Sequence, residues 1–288
     1  MLSRLMASLH CGIYASLRYA SMLYAHNFMV ILPLNPKETM DPKIKYLLHL
    51  ADNSLILGQR LGEWCGHGPV LEQDIALTNI SLDLIGQARM IYQYIASMPG
   101  QNTNEDTLAM LRYENEYLNL LLVEQPNKNF GLTITRQFFF DTFHLIQTDA
   151  LTHHPDSQVN AIAVKSLKEI KYHYRYSSEW VIRLGDGTEE SHKIMQESFD
   201  ALWRFTGEFF KMASYETVLL SESYTLDVTT LEAEWLQRVS SIGTEAGLKL
   251  PEKEVMLYGG KEGKHTEHMG YILTELQYMQ RTFPQMNW

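Results

Sequence analysis

From Met40 to about residue 283, apolar residues recur at a spacing close to 3.6, the period of an α-helix. Few segments alternate apolar and polar residues as half-buried strands do, and the best strand candidate, 249–258, is weak. Pro99-Gly100 and Pro126-Asn127 interrupt the helical pattern. Helices are predicted at about 42–61, 72–98, 104–124, 132–152, 156–184, 189–220, 229–240 and 268–283. An all-α domain over residues 40–288, with a four-helix core and peripheral helices, accounts for this pattern.

Four acidic residues fall inside the predicted long helices, at Asp52, Asp83, Asp141 and Glu169, with gaps of 31, 58 and 28 residues. A gap near 30 is expected when both helices of a hairpin present a residue at the same depth, because a helix rises about 1.5 Å per residue. The longer middle gap leaves room for the crossover connection of ferritin-like bundles. The spacing therefore predicts a ferritin-like four-helix bundle.

The histidines of a di-iron site are missing from this framework. In ferritin-like di-iron proteins, two helices each give one Glu and the other two each give a Glu-x-x-His pair. Here Gly86 follows Asp83 at the third position, and Tyr172 follows Glu169 in the same way. We therefore predict a degenerate framework whose buried acids are held by hydrogen bonds, with no metal and no catalytic residue in this chain. Its members are Asp52, Asp83, Gly86, Asp141, Glu169 and Tyr172.

Two other metal sites remain open as interpretations. A working di-iron site would use Asp52, Asp83, Asp141, His144 and Glu169. A zinc site could use His265 and His268 with Glu267 between them, but these histidines are three apart instead of four, and a third ligand would have to come from elsewhere. The preceding segment, 259–263, is too short for a phosphate-binding loop, and a solvated loop that leads into the last helix is the simpler interpretation.

The first 39 residues differ in composition from the rest of the chain. No acidic residue precedes Glu38, whereas Arg4, Arg18 and Lys37 are basic. Such a leader is typical of an organelle transit peptide, or it results from a misassigned start, with Met40 as the true first residue. Its clean apolar run at 28–32 is far shorter than the ~20 residues of a membrane span. Under either interpretation we expect residues 1–39 to lie outside the fold.

Charge and cysteine content limit the function classes. A formal net charge of −10 argues against a nucleic-acid-binding surface, which is normally basic. Cys11 and Cys65 cannot form a disulfide framework, so a reducing, cytoplasmic setting is expected.

Several separate motifs, in order along the chain, resemble the C subunits of bacterial phenylacetyl-CoA epoxidases. The similarity covers about residues 43–288 and is carried by several stretches. They are Leu61-Gly62-Glu63-Trp64-Cys65-Gly66-His67, residues 82–89, residues 121–127, Leu202-Trp203-Arg204-Phe205-Thr206 and residues 260–268.

The resemblance implies a ferritin-like subunit of a multicomponent monooxygenase that converts phenylacetyl-CoA to a ring epoxide in aerobic phenylacetate degradation. A homologous A subunit holds the di-iron centre, a reductase passes electrons to it from NADPH, and the C subunit is structural and binds the A subunit. The resemblance also implies some substrate contacts, against the alternative of ordinary helix packing. The expected contact residues are Glu116, Tyr117, Leu118, Asn119, Thr217, Val218 and Leu219.

Overall fold

The computed structural model describes residues 40–252, 254–284 and 286. The predictions for residues 1–39 concern a part of the chain that lies outside this description, and they stay predictions. The helices are α1 Pro42–Gly62, α2 Leu71–Ser97, α3 Glu105–Met110, α4 Phe130–Leu151, α5 Ser157–Gly185, α6 Glu189–Trp203, α7 Ser214–Ser221, α8 Glu232–Glu245 and α9 Glu267–Thr282. No strand occurs among the described residues, and the predicted all-α fold is confirmed.

Capping residues explain where three of the long helices, α1, α4 and α5, start. Asp41 accepts a hydrogen bond from Lys43 N (2.9 Å), and Pro42 occupies the first position of α1, where its missing N–H is harmless. Asn129 caps α4, and Asp156 caps α5 in the same way. These caps explain why the predicted starts of α1, α4 and α5 agree with the structure within two residues.

Helices α1 and α2 form a closely packed antiparallel hairpin. The Ser81 hydroxyl donates to Gly58 O (2.7 Å), and Tyr92, further along α2, contacts Asp52, which lies earlier in α1. A Cβ at position 58 would lie only 3.0 Å from Ile85 Cγ1, so glycine permits the close approach. These contacts fix how the two helices are staggered along their axes.

Helices α4 and α5 form a second hairpin, in which the Ser177 hydroxyl donates to Asp141 (2.8 Å). Helix α2 packs against α5, and residues of α1, α2, α4 and α5 together line one interior cavity. These four helices are therefore the core of the bundle. Among the described helices, none is long and apolar enough to cross a membrane.

Aromatic side chains attach the peripheral helices to α4. Phe139 of α4 packs edge-on against Phe199 of α6, with ring centroids 4.8 Å apart. Phe143, one turn further along α4, stacks on Phe209 at the same distance. Trp235 of α8 donates from its ring nitrogen to Phe139 O (3.0 Å), so this buried indole has a partner. The aromatic residues of this region form core.

Three sequence predictions of secondary structure are wrong. The helix predicted at 104–124 ends at Met110, after which only residues 114–116 form a single helical turn. The helix predicted at 189–220 divides into α6, a short turn at 206–210 and α7. It breaks where Gly207 packs against Met256, and α7 starts where Glu216 accepts from Ala213 N (2.8 Å). The described residues of 249–258 form no strand.

Gly260 offers a test of the packing between loops. A Cβ at Gly260 would collide with Asn119 O and lie 3.0 Å from Leu121 N. We expect Gly260→Ala to lower the free energy of unfolding by about 1–3 kcal/mol, because two backbone segments must separate. Gly86 in α2 is the control, since a Cβ added there would meet no atom within 4 Å. Gly86→Ala should raise stability by about 0.5–1 kcal/mol. Urea unfolding measures both, and similar effects would contradict this packing.

Candidate functional site

Asp52 of α1 is fully buried and is bound on every side by protein groups. Arg112 donates to both carboxylate oxygens, with Nη1 3.0 Å from Oδ2. The Tyr92 hydroxyl donates to Oδ1 (2.5 Å), and Leu118 N donates to Oδ2 (2.8 Å). A buried carboxylate with this many donors is stabilised as an ion-paired structural group.

Residues 117–125, here called the strap, run through the interior without forming regular secondary structure. Their backbone donors are bound by side chains from other elements. Asn53 of α1 accepts from Leu120 N (2.8 Å), and Glu208 accepts from Leu121 N (2.8 Å). Buried backbone groups must be hydrogen-bonded, so these side chains take the place of a helix's own ladder.

The carbonyl groups of the strap are also bound by side chains of α1. His49 donates from Nδ1 to Leu118 O (2.7 Å), and Arg60 donates from Nε to Glu124 O (3.0 Å). Burial lowers the pKa of His49 to about 4, so its ring is neutral at pH 7. Helix α1 therefore holds the strap through four polar side chains, His49, Asp52, Asn53 and Arg60.

His265 lies between two acceptors. Its Nδ1 is 3.0 Å from Glu124 Oε2, and its Nε2 is 2.9 Å from Tyr117 O. Neither a carboxylate nor a carbonyl oxygen supplies a hydrogen, so the ring satisfies both only when both nitrogens are protonated. Burial lowers the pKa of His265, but the hydrogen bond and charge of Glu124 outweigh it, and the pKa is raised.

Lys261 belongs to the glycine-rich turn before α9 and is buried. Its Nζ is 3.2 Å from Glu216 Oε2 and donates to Lys211 O (3.0 Å). Glu208 also accepts from Gly259 N (2.7 Å), so the carboxylate that binds the strap binds this turn as well. The interpretation of this segment as a solvated loop is wrong, because its lysine is needed to pair a buried acid.

The framework acids of α1 and α2 do not lie at the same depth. Asp52 is level with Tyr92, whereas Asp83 precedes Tyr92 by nine residues, roughly 13 Å along α2. Asp83 is partly exposed and instead contacts His173 Nε2 of α5 (3.0 Å). The near-30 spacing of these acids therefore does not reflect a shared centre.

The acids of α4 and α5 are offset in the same way. Asp141 is level with Ser177, eight residues or roughly 12 Å beyond Glu169. Gln137 donates to Asp141 (2.7 Å), and Gln87 of α2 donates to Glu169 (3.0 Å). Burial raises the pKa of Asp141 to about 6, although nearby donors oppose the shift.

These positions do not fit a di-iron or zinc site. Among the described residues, no group of three or more His, Cys, Asp or Glu side chains is arranged to hold a metal ion. His144 packs against Phe140, and burial lowers its pKa to about 3. Both ring nitrogens of His265, the candidate zinc ligand, already contact protein oxygens, one of Glu124 and one of Tyr117 in the strap.

Gly86 and Tyr172 require a correction. Both are exposed, so neither occupies an inward position where a histidine ligand would stand. One residue further along each helix, Gln87 and His173 are buried. Asp83 and Glu169 are only partly buried. The residue that faces the core therefore follows each of them at the fourth position and not at the third. The degenerate-site interpretation of these six residues stays a prediction.

The residues expected to contact substrate fall into two groups. Tyr117, Leu118, Asn119 and Leu219 are buried, and the first three belong to the strap. The exposed or partly exposed members are Glu116, Thr217 and Val218. Substrate contact stays a prediction for all seven, and only the second group is accessible in the isolated chain.

Sequence reasoning did not single out Arg112, Glu124 or Glu208 as a connected set. A signal was present at Glu124, which follows the apolar run 120–123. A charged residue in such a run is seldom buried without a partner. The partner could not be named, since Glu124 and His265 are 141 residues apart in the chain.

Comparisons with known proteins agree on one family. The model of the family described as phenylacetic acid catabolic protein matches residues 33–288. The C subunit of the 1,2-phenylacetyl-CoA epoxidase of Escherichia coli (strain K12) is 47% identical over 249 residues, which cover 86% of this chain and 100% of that protein.

Removing the guanidinium from the buried pair should be costly. Arg112→Met removes the positive charge and both guanidinium hydrogen bonds from the buried Asp52 side chain, and we expect a loss of about 3–5 kcal/mol in the free energy of unfolding. The control is Arg89→Met, which breaks the exposed Arg89–Glu105 pair (2.8 Å) and should cost less than about 1 kcal/mol. Urea unfolding of both variants checks this, and equal losses would show that the buried pair is not structurally important.

His265 should make stability depend on pH. A raised pKa in the folded state gives stability that is fully present below about pH 6.5, the ordinary histidine value, and that is lost as pH rises through the raised value. The difference in unfolding free energy between the wild type and His265→Gln should therefore shrink from pH 6 to pH 9. The matched control is His67→Gln, which replaces a histidine that is exposed. A constant difference for His265→Gln would contradict a charged ring.

Proposed function

Since this chain belongs to the family of phenylacetic acid catabolic proteins, we propose that it is a non-catalytic structural subunit of a phenylacetyl-CoA epoxidase complex. In this proposal it works in the cytoplasm and binds the homologous A subunit. The di-iron centre of that partner supplies the oxygen-activating chemistry, and a reductase supplies electrons from NADPH. The present chain positions the catalytic helices and limits the access of water to them.

The use of its acids supports a structural role. Asp52, the framework acid of α1, accepts hydrogen bonds from Arg112, Tyr92 and the strap. Asp141 is bound by Ser177 and Gln137. Carboxylates that are neutralised by an arginine or hydrogen-bonded within the chain are not free to bridge two metal ions. The alternative, a subunit with its own di-iron site, would require these contacts to break.

A stripe of exposed apolar residues on α2 is the surface that best fits a docking partner. Leu71, Ile75, Leu82 and Ile85 are 69%, 51%, 62% and 37% exposed. Their spacings of four, seven and three residues follow a heptad pattern. Apolar residues in that pattern form the seam along which a second helix packs at a small angle. A solvent-exposed seam of this kind marks an interaction site.

The charges beside this α2 stripe favour a basic helix over a second copy of this chain. Glu72, Asp74 and Asp83 are the charged residues between Leu71 and Ile85, and no lysine or arginine occurs there. Two copies, each with a formal net charge of −10, would bring acids together along the seam. We therefore propose that a helix of the A subunit with basic flanks packs on the α2 stripe.

Reconstitution with the A subunit and the reductase tests the proposal. We expect epoxidation of phenylacetyl-CoA to fall at least tenfold when this chain is omitted, because the catalytic helices lose their support. Leu82→Glu should weaken co-purification with the A subunit by tenfold or more, whereas Tyr271→Glu, at an exposed position of α9, should not. Both variants should keep the wild-type unfolding midpoint.

The outcomes separate the two parts of the proposal. Undiminished epoxidation without this chain would contradict the supporting role. Loss of binding in Tyr271→Glu but not in Leu82→Glu would leave that role intact and place the docking surface away from α2.

A further inference from the structure

The interior of the four-helix core contains a cavity of about 40 Å³. Part of its wall is apolar and includes Ile91 of α2 and Phe140 of α4. The rest is polar and includes Gln87 of α2, Gln147 of α4 and Ser166 of α5. Neither a carboxylate nor a lysine or arginine lines it, so the cavity wall carries no formal charge.

The polar wall has hydrogen-bonding atoms without partners in the described chain. They are Gln87 Oε1, Gln147 Nε2 and Ser166 Oγ, and these residues are only 2%, 3% and 4% exposed. His144, which also lines the cavity, leaves Nδ1 unpaired. Buried polar atoms in folded proteins are almost always hydrogen-bonded, and leaving one unpaired is costly. Four such atoms around one cavity indicate a ligand that completes them.

We propose that this cavity is a binding site for two or three ordered water molecules, held by Gln87, His144, Gln147 and Ser166. A water needs about 10–15 Å³ of such volume and two to four polar partners, and the cavity supplies both. An ion is disfavoured because the lining offers no charge to neutralise it. The wall presents both acceptors and donors, and water serves both, since it donates to the Gln87 carbonyl and accepts from the Gln147 amide.

These waters connect three helices of the bundle. Gln87 is on α2, His144 and Gln147 are on α4, and Ser166 is on α5. In a di-iron bundle the metal ligands join facing helices across the core. Here neutral water molecules join the facing helices by hydrogen bonds instead. This holds whether or not a partner docks on the α2 stripe.

A high-resolution crystal structure of the full chain tests the proposal directly. We expect density peaks within hydrogen-bond distance of Gln87 Oε1, Gln147 Nε2 and Ser166 Oγ. A dry cavity, at a resolution that shows other buried waters, would overturn the proposal. So would an ion identified by anomalous scattering, or the density of an organic molecule.

Two variants test the same point in solution. Gln147→Met keeps the side-chain length but has no donor for a water molecule, so it should lower the melting temperature if the cavity is hydrated. It should raise the melting temperature if the cavity is dry, because an unpaired amide is then removed. Exposed Gln93→Met on α2 is the control and should have little effect.

Ala163→Val, which adds volume at the cavity wall, should remove at least one long-lived internal water. Water-oxygen magnetic relaxation dispersion counts such waters, and circular dichroism confirms that the variant is folded. An unchanged count in a folded variant would contradict the proposal.

Discussion

The ion pair between Asp52 and Arg112 organises the interior of this bundle. The carboxylate at the centre of α1 binds Arg112, Tyr92 and the backbone of the strap at Leu118. The strap is hydrogen-bonded to Glu208 and His265. Glu208 also accepts from Gly259 N in the turn before α9. Irregular backbone is tolerated in a protein interior only when side chains complete its hydrogen bonds. Asp52 therefore connects the α1–α2 hairpin, through the strap, to the peripheral elements.

The helices were largely predictable because their signals are local. Asp41, Asn129 and Asp156 are caps that can be read from neighbouring residues, and apolar periodicity gives the buried faces. The strap was not predictable, because partners such as Asp52, Asn53 and Glu208 lie 66 or more residues away in sequence. Helix propensity extended the pattern through 111–124, and tertiary hydrogen bonds overrode it.

The candidate site shows a second limit of spacing arguments. Regular gaps between acids predict a shared depth only if the stagger of the helices is known. Here the stagger follows from the contact of Gly58 with Ser81 and Ile85, which no spacing reveals. The offset places Asp83 beside His173 and leaves Asp52 with Arg112. The four acids do lie on the four core helices, but the arrangement of their contacts could be found only in three dimensions.

The buried acids of this bundle are bound within the chain, and the α2 stripe is an exposed apolar surface that a partner helix can cover. We propose that this chain supports a metal-bearing partner and carries no metal itself. Iron analysis of the separated subunits after reconstitution is the decisive measurement. We expect iron in the A subunit and less than about one-tenth of an equivalent in this chain. About two irons per copy of this chain would contradict the supporting role.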